Sequence, residues 1–127
     1  MDFTAFKKIV HSTAQQIAAK VVELHKPDVT PNFYAAEIAL PHAGTVYLLC
    51  SIGGHWAFSS RYKSDECSLD FVDCPSLADV LEGTFGITPM LKADLLGDFR
   101  KQPFNSEADV RYWKPKTLGE GVFNWWD

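Results

Sequence analysis

The side chains best suited to catalysis or metal binding are cysteines and histidines, and none of them falls in a common motif. The chain has no G-x-G-x-x-G, G-x-x-x-x-G-K-[ST], H-E-x-x-H or C-x-x-C pattern, so phosphate cradling and the common zinc chemistry lack their geometry. His42, His55, Cys50, Cys67 and Cys74 remain as residues that a fold might bring together. Free cysteine usually acts as a small buried apolar residue. We therefore expect no catalytic residues, no metal and no cofactor, and we expect a protein that is not an enzyme.

The segment Gly53-Gly54-His55-Trp56 allows two interpretations. Glycines let a ligand approach the backbone and histidine titrates near neutral pH, so a minor enzyme might build a site from His55 and nearby acids. The simpler interpretation is a β-hairpin turn, in which both central positions favour glycine. We favour the turn.

Acidic residues are concentrated in one part of the chain. Residues 64–82 contain six acids and no Lys or Arg, which gives this segment a charge of −6 and the remainder +2. Charge runs are usually solvated faces, and two of the carboxylates might instead be paired for acid–base catalysis. A patch of one sign also attracts a partner of the opposite sign. We predict that it binds a basic partner, through Asp65, Glu66, Asp70, Asp73, Asp79 and Glu82.

Aromatic residues are concentrated near the end of the sequence, between Tyr112 and Trp126. Trp125 and Trp126 are neighbours, and adjacent positions of a helix point about 100° apart, so both are hard to bury against one surface. Exposed tryptophan is a preferred interface anchor. We therefore add Trp126 to the predicted partner-binding residues.

The pattern of apolar residues predicts the helices and strands that position these residues, and together they form an α+β fold. Apolar residues recur at helical spacing from Phe3 to Leu24, which predicts a helix over residues 3–25. Residues 33–40, 46–52 and 67–73 have the character of strands. We expect an antiparallel sheet of four or five strands, with the long N-terminal helix packed on one face and short helices towards the C-terminus.

The glycine pair also sets an expected register for the central hairpin. A two-residue loop would pair Ile52 with His55 and Leu49 with Phe58. That register puts Trp56 and Phe58 on the same face as Tyr47. Both faces of this hairpin are apolar, so it is either covered on both sides or covered on one side and used for binding on the other.

The second half of the chain carries helix-start signals. Pro75, with Ser76 and Asp79 in capping-box spacing, predicts a short helix ending near Gly83 or Gly86. Another helix is expected from residue 88, a possible edge strand over residues 110–113, and a terminal helix whose capping box is Thr117 and Glu120.

Composition bounds the setting in which the protein works. The 127 residues are 46% hydrophobic and 22% charged, which suits one globular domain over residues 1–127. An odd number of cysteines and the lack of a leader favour the cytoplasm. The longest apolar run, residues 46–52, is too short to cross a bilayer, so we expect no membrane association. The net charge of −4 argues against direct nucleic-acid binding.

The final stretch, RYWKPKTLGEGVFNWWD over residues 111–127, resembles the endings of small bacterial immunity proteins, especially those paired with contact-dependent growth inhibition toxins. The overall form, a short acidic α+β domain without an active site, is similar too. The resemblance implies a cytoplasmic protein that neutralises one cognate toxin, and many such toxins are nucleases with basic grooves. The alternative is a small-molecule-binding domain or minor enzyme that uses the aromatic hairpin face of Tyr47, Trp56 and Phe58.

Overall fold

The structure, a computed structural model, describes residues 1–28, 30–63 and 69–126. The elements in these ranges are α1 (Phe3–Gln16), β1 (Lys20–His25), β2 (Phe33–Leu40), β3 (Gly44–Ser51), β4 (Trp56–Ser59), β5 (Phe71–Val72), α2 (Pro75–Phe85), α3 (Lys92–Leu95), α4 (Glu107–Trp113) and α5 (Leu118–Val122). The five strands form one sheet in the order β1-β2-β3-β4-β5, and all neighbours are antiparallel. The predicted α+β fold is confirmed, with the N-terminal helix on the sheet and short helices near the C-terminus.

The first helix begins as predicted and ends earlier. The Asp2 side chain accepts a hydrogen bond from the backbone N–H of Ala5 at 2.7 Å, which caps the first turn. The helix ends at Gln16, and Ala18 takes a left-handed conformation with φ of 56°. The predicted extension to residue 25 is wrong, because residues 20–25 turn back and pair with β2 as strand β1. The register of β1 shifts between Val21 and Glu23, so Val21 and Leu24, three residues apart, pack against the same core and imitate helical spacing.

The central hairpin has a longer loop than predicted. Cys50 pairs with Trp56 and Leu48 with Phe58, so the expected pairing of Leu49 with Phe58 is wrong by one residue. The N–H of Ser51 donates to the carbonyl of His55 at 2.8 Å, which leaves a three-residue loop whose last residue, Gly54, has φ of 84°. A shift of one residue moves side chains to the opposite face of a strand.

The sheet is covered on both faces, and each face has its own core. On the first, called the helix face, α1 and α2 pack against the sheet; its largest fully buried side chains are Phe6, Val10, Ile38, Leu48, Phe58, Leu77 and Leu81. On the second, called the tail face, the chain from α3 onward packs against the sheet; its buried side chains include Phe33, Leu49, Phe71, Leu95, Leu118, Val122 and Phe123. Of the two possibilities left open for the hairpin, coverage on both sides is the one found.

Helix α2 follows its prediction except at its cap. Pro75 stands in its first turn and Gly86 ends it with a left-handed φ of 66°. The predicted capping box of Ser76 and Asp79 is wrong, because Cys74 occupies the N-cap position without a side-chain hydrogen bond. Leu77 and Leu81 are fully buried, so the helix is held by its apolar face.

The elements after α2 match their predictions unevenly. The helix expected from residue 88 forms only as α3, and the strand expected at 110–113 is wrong. Those residues belong to α4, because Ser106 caps a helix by accepting a hydrogen bond from the N–H of Asp109 at 3.0 Å. The capping box of Thr117 and Glu120 is confirmed, although α5 ends at Val122.

The strand predicted over residues 67–73 is much shorter in the structure. Only Phe71–Val72 pairs with β4, and residues 67 and 68 lie outside the described ranges. No helix in the part of the chain that the structure describes is long and apolar enough to cross a membrane.

Candidate functional site

An open groove lies between α2 and the loop that follows it. We call it the acidic groove; its volume is about 320 Å³ and its lining comprises Phe58, Asp73, Cys74, Pro75, Ala78, Asp79, Glu82, Thr88, Pro89, Met90 and Leu91. The lining is mostly apolar, and its three charged residues are all acids. Leu91 is 57% exposed, a large apolar side chain left open to solvent. The groove thus combines apolar contact area with negative charge.

The three carboxylates are positioned by two elements. Asp79 and Glu82 are three residues apart on α2, a spacing that places side chains side by side on a helix surface. Asp73 precedes α2, and its Oδ1 accepts a hydrogen bond from the backbone N–H of Lys92 at 2.9 Å. This bond joins the loop before α2 to the start of α3 and fixes the third carboxylate at the groove.

These carboxylates have no cationic partner among the described residues. Asp73, Asp79 and Glu82 are exposed. The one ion pair found within residues 1–28, 30–63 and 69–126 is the contact between His25 and Glu23, at 3.8 Å. Like charges held close together without a counter-charge repel each other. A cationic partner bound here would relieve that repulsion.

The remaining predicted acids do not line this groove. Asp70 is exposed and lies just before β5, where its Oδ2 accepts a hydrogen bond from the Ser60 hydroxyl at 3.2 Å. Asp65 and Glu66 lie outside the described residues. The structure therefore brings three of the six predicted acids together, and a contact role for all six stays a prediction.

Trp126 borders a second groove, on the tail face. We call it the aromatic groove; its volume is about 520 Å³ and its lining comprises Leu69, Trp113, Lys114, Pro115, Lys116, Glu120, Phe123, Trp125 and Trp126. The Trp113 and Trp126 rings are parallel to within 1°, with centroids 6.3 Å apart. Trp125 and Trp126 are both half-buried rather than divided between core and solvent. Sequence reasoning overlooked Lys114 and Lys116 here, although both follow closely after Tyr112 and Trp113 in the sequence.

The aromatic pocket proposed for the hairpin does not form from its three residues. Trp56 and Phe58 pack in the core of the helix face, whereas Tyr47 packs against the core of the tail face. The prediction failed because it rested on the register that was wrong by one residue. Burial and the neighbouring Glu37, which accepts the Tyr47 hydroxyl hydrogen bond at 3.2 Å, raise the pKa of Tyr47.

His55 and Cys50, two of the residues considered for catalysis or metal binding, have contacts that suit a role in the fold. The Nδ1 of His55 lies 3.4 Å from the Ser51 hydroxyl, but Ser51 is fully buried and also accepts the backbone N–H of His55, as a turn residue does. Burial raises the pKa of the Cys50 thiol to about 12, so it stays protonated at neutral pH. No three His, Cys, Asp or Glu side chains converge as a metal site within the ranges that the structure describes.

Comparisons of the chain with protein-family models, with curated proteins and with solved structures find no match.

Proposed function

We propose that this protein is an immunity protein that binds a cognate toxin, most simply a nuclease, in the cytoplasm and neutralises it without catalysing a reaction. The observation that carries the proposal is the acidic groove, in which Asp73, Asp79 and Glu82 border an apolar surface. The resemblance of residues 111–127 to immunity-protein endings supports the same conclusion.

The groove suits a basic protein segment better than a free cation. An arginine or lysine side chain offers both a charged end and an apolar stem, and such stems pack along apolar surface while the charge stays near water. Met90 and Leu91 provide the apolar surface, and Asp79 and Glu82 provide charge beside it. A nuclease that binds phosphates carries clustered Arg and Lys, so the acids of the immunity protein would occupy the place of its substrate's phosphates.

Charge also determines how fast the complex forms. The segment 64–82 carries −6 while the remaining residues carry +2, so negative charge is concentrated in one part of the sequence, and three of its acids line the acidic groove. Concentrated charge steers a basic partner and raises the association rate, and salt screens this effect. Rapid capture would protect a cell from a toxin that enters it at low concentration.

The test compares two double variants that change net charge equally. Asp79→Lys with Glu82→Lys reverses the charge of two acids in the groove and keeps the hydrogen bond from the backbone N–H of Lys92 to Asp73. Asp98→Lys with Glu107→Lys reverses the charge of two exposed acids outside the groove. The wild-type protein is used to capture its partner from native cells, and the captured protein is identified, purified and assayed for nuclease activity.

We expect wild type and the control variant to inhibit the captured nuclease at equimolar amounts. The groove variant should associate at least about tenfold more slowly at low salt and show a flatter salt dependence. The proposal is overturned if the groove variant folds and inhibits as rapidly as wild type. It is also overturned if the captured protein is not inhibited by the wild type.

A further inference from the structure

The aromatic groove has chemistry opposite to that of the acidic groove. Trp113 and Trp126 contribute parallel indole rings, and Lys114 and Lys116 contribute positive charge. Trp113 is 38% exposed and the adjacent Tyr112 76% exposed, so aromatic surface at this end of α4 is open to solvent. The two grooves share no lining residue: α2 lines the acidic groove, whereas Phe123 of the tail-face core lines the aromatic groove.

Two lysines stand in the described lining of this groove. Lys114 and Lys116 are both exposed. Among the described residues of the lining, Glu120 is the one acid, and its carboxylate accepts hydrogen bonds from the backbone N–H groups of Lys116 at 2.7 Å and Thr117 at 3.3 Å. Its charge is thus partly satisfied by the capping box of α5, while the lysine ammonium groups remain available to a ligand.

Lys114 occupies an unusual backbone conformation at the rim. It follows the last residue of α4 with φ of 49° and ψ of 57°, a left-handed position that usually carries glycine. A side chain other than glycine there costs roughly 1 kcal/mol. Glycine would suit the backbone better, so backbone stability does not explain a lysine at this position.

We infer that the aromatic groove binds a nucleobase together with its phosphate, supplied either by a free nucleotide or by a single strand of nucleic acid. Planar bases stack on exposed indole faces, and phosphate oxygens accept charge-assisted hydrogen bonds from ammonium groups. The volume of about 520 Å³ falls within the range of small-molecule sites. An acidic peptide would use the lysines but would offer no planar group to stack on the indole rings.

Nucleotide binding at the aromatic groove does not depend on the proposed toxin-binding function, and it is confined to that groove. The net charge of −4 argues against a broad nucleic-acid-binding surface. Asp79 and Glu82 of α2 line the acidic groove and are not in the lining of the aromatic groove. Substitutions in one groove therefore leave the charge of the other unchanged.

The test measures binding by calorimetry with four probes: adenosine 5′-monophosphate, adenosine, inorganic phosphate and a single-stranded oligoadenylate. We expect the monophosphate to bind more tightly than either adenosine or inorganic phosphate, because it uses both the rings and the lysines. Tighter binding of oligoadenylate than of monophosphate would identify a single strand as the source, and equal binding would identify the free nucleotide.

Three variants separate recognition from folding. Trp113→Ala should weaken binding at least about fivefold through lost stacking. Lys114→Gly should weaken binding and flatten its salt dependence while leaving thermal stability unchanged or raised, which a structural role for the lysine would not produce. The charge-matched control for Lys114→Gly is Lys8→Ala, which removes one exposed lysine of α1 and should bind like wild type.

Several results would overturn the inference. It fails if no probe carrying a base binds at millimolar concentration, or if inorganic phosphate binds as tightly as the monophosphate. It also fails if an oligoaspartate peptide competes as well as the monophosphate and remains sensitive to Trp113→Ala. The toxin-binding proposal is unaffected by these results, because its readout is nuclease inhibition by variants of the acidic groove.

Discussion

The helix face and the tail face of the sheet are closed by different means. On the helix face, two regular helices, α1 and α2, bury apolar side chains against β2, β3 and β4. The tail face is covered by the short helices α3 and α5 and by the chain after α5. These segments also bury apolar side chains against the sheet, and side-chain hydrogen bonds help to hold them. The comparison shows that one sheet can be covered either by periodic apolar stripes or by irregular chain held at particular polar contacts.

Asparagine side chains provide those polar contacts. Asn32 donates to the carbonyl of Val122 at 3.3 Å and accepts the backbone N–H of Asn124 at 2.8 Å. Asn105 and Asn124 both donate to the carbonyl of Gly121, at 3.0 Å and 3.1 Å. The end of the described chain is therefore fastened to the start of β2 by hydrogen bonds with defined geometry, whereas α1 and α2 are held mainly by apolar contact.

The largest expected effect tests whether the two cores contribute equally. Phe6→Ala removes a fully buried ring from the helix face and Phe33→Ala removes one from the tail face. Each should lower the free energy of unfolding by about 3–5 kcal/mol, since both leave a cavity among packed neighbours. Urea denaturation measures both variants. A loss below about 1 kcal/mol for Phe33→Ala would show that the tail face is loosely packed and would break the comparison.

Glycine substitutions should have opposite signs on the two faces. A methyl group at Gly119 would meet the Phe71 ring and the backbone carbonyl of Leu95, so Gly119→Ala should destabilise the protein by about 1–3 kcal/mol. Gly83 lies in α2 with nothing near the added methyl group, and Gly83→Ala should stabilise by about 0.5–1 kcal/mol because alanine favours the helix. Thermal unfolding of the pair measures the contrast. Two changes of the same sign would contradict it.

The smallest contrast concerns two residues of one chain segment. Asn32→Ala leaves the N–H of Asn124 without its acceptor and should cost about 1–3 kcal/mol. Tyr34→Phe removes a single bond, from the hydroxyl to the carbonyl of Met1 at 3.1 Å, and should cost about 0.5–1.5 kcal/mol. Hydrogen exchange distinguishes their effects, because Asn32→Ala should speed exchange near residues 122–126 and Tyr34→Phe should not. Equal exchange in both variants would mean that the asparagine contacts do not fasten the tail.

Local signals explain why the fold class could be predicted. Asp2 and the apolar stripe of α1, the strand at residues 33–40, and the Thr117–Glu120 capping box each act within a few residues, and the structure has all of them. The hairpin register could not be predicted with the same success, since Gly53-Gly54 suits a loop of two or of three residues. Val110 favoured a strand by propensity, but the cap at Ser106 favours a helix at these residues.

The candidate site was predictable only in its charges. The clustering of acids around α2 could be seen in the sequence, and the structure places Asp73, Asp79 and Glu82 at one groove. The apolar surface beside them depends on how the loop after α2 returns to β4, where the N–H of Met90 donates to the carbonyl of Trp56 at 2.7 Å. Such a long-range contact leaves no local signal in the sequence.

The sequential order of the strands also bears on how the nascent chain folds. Each strand pairs with the one synthesised just before it, so β1 to β4 can form hairpins as they leave the ribosome. Residues of α5 and the chain after it cover the tail face, and the ribosome adds them on the order of seconds after β4. Phe33 and Leu49 would face solvent during that interval, unless a chaperone shields them. The interval closes when Asn124 reaches Asn32, so the same hydrogen bonds that fasten the tail also end the period in which the newly made sheet is open to aggregation.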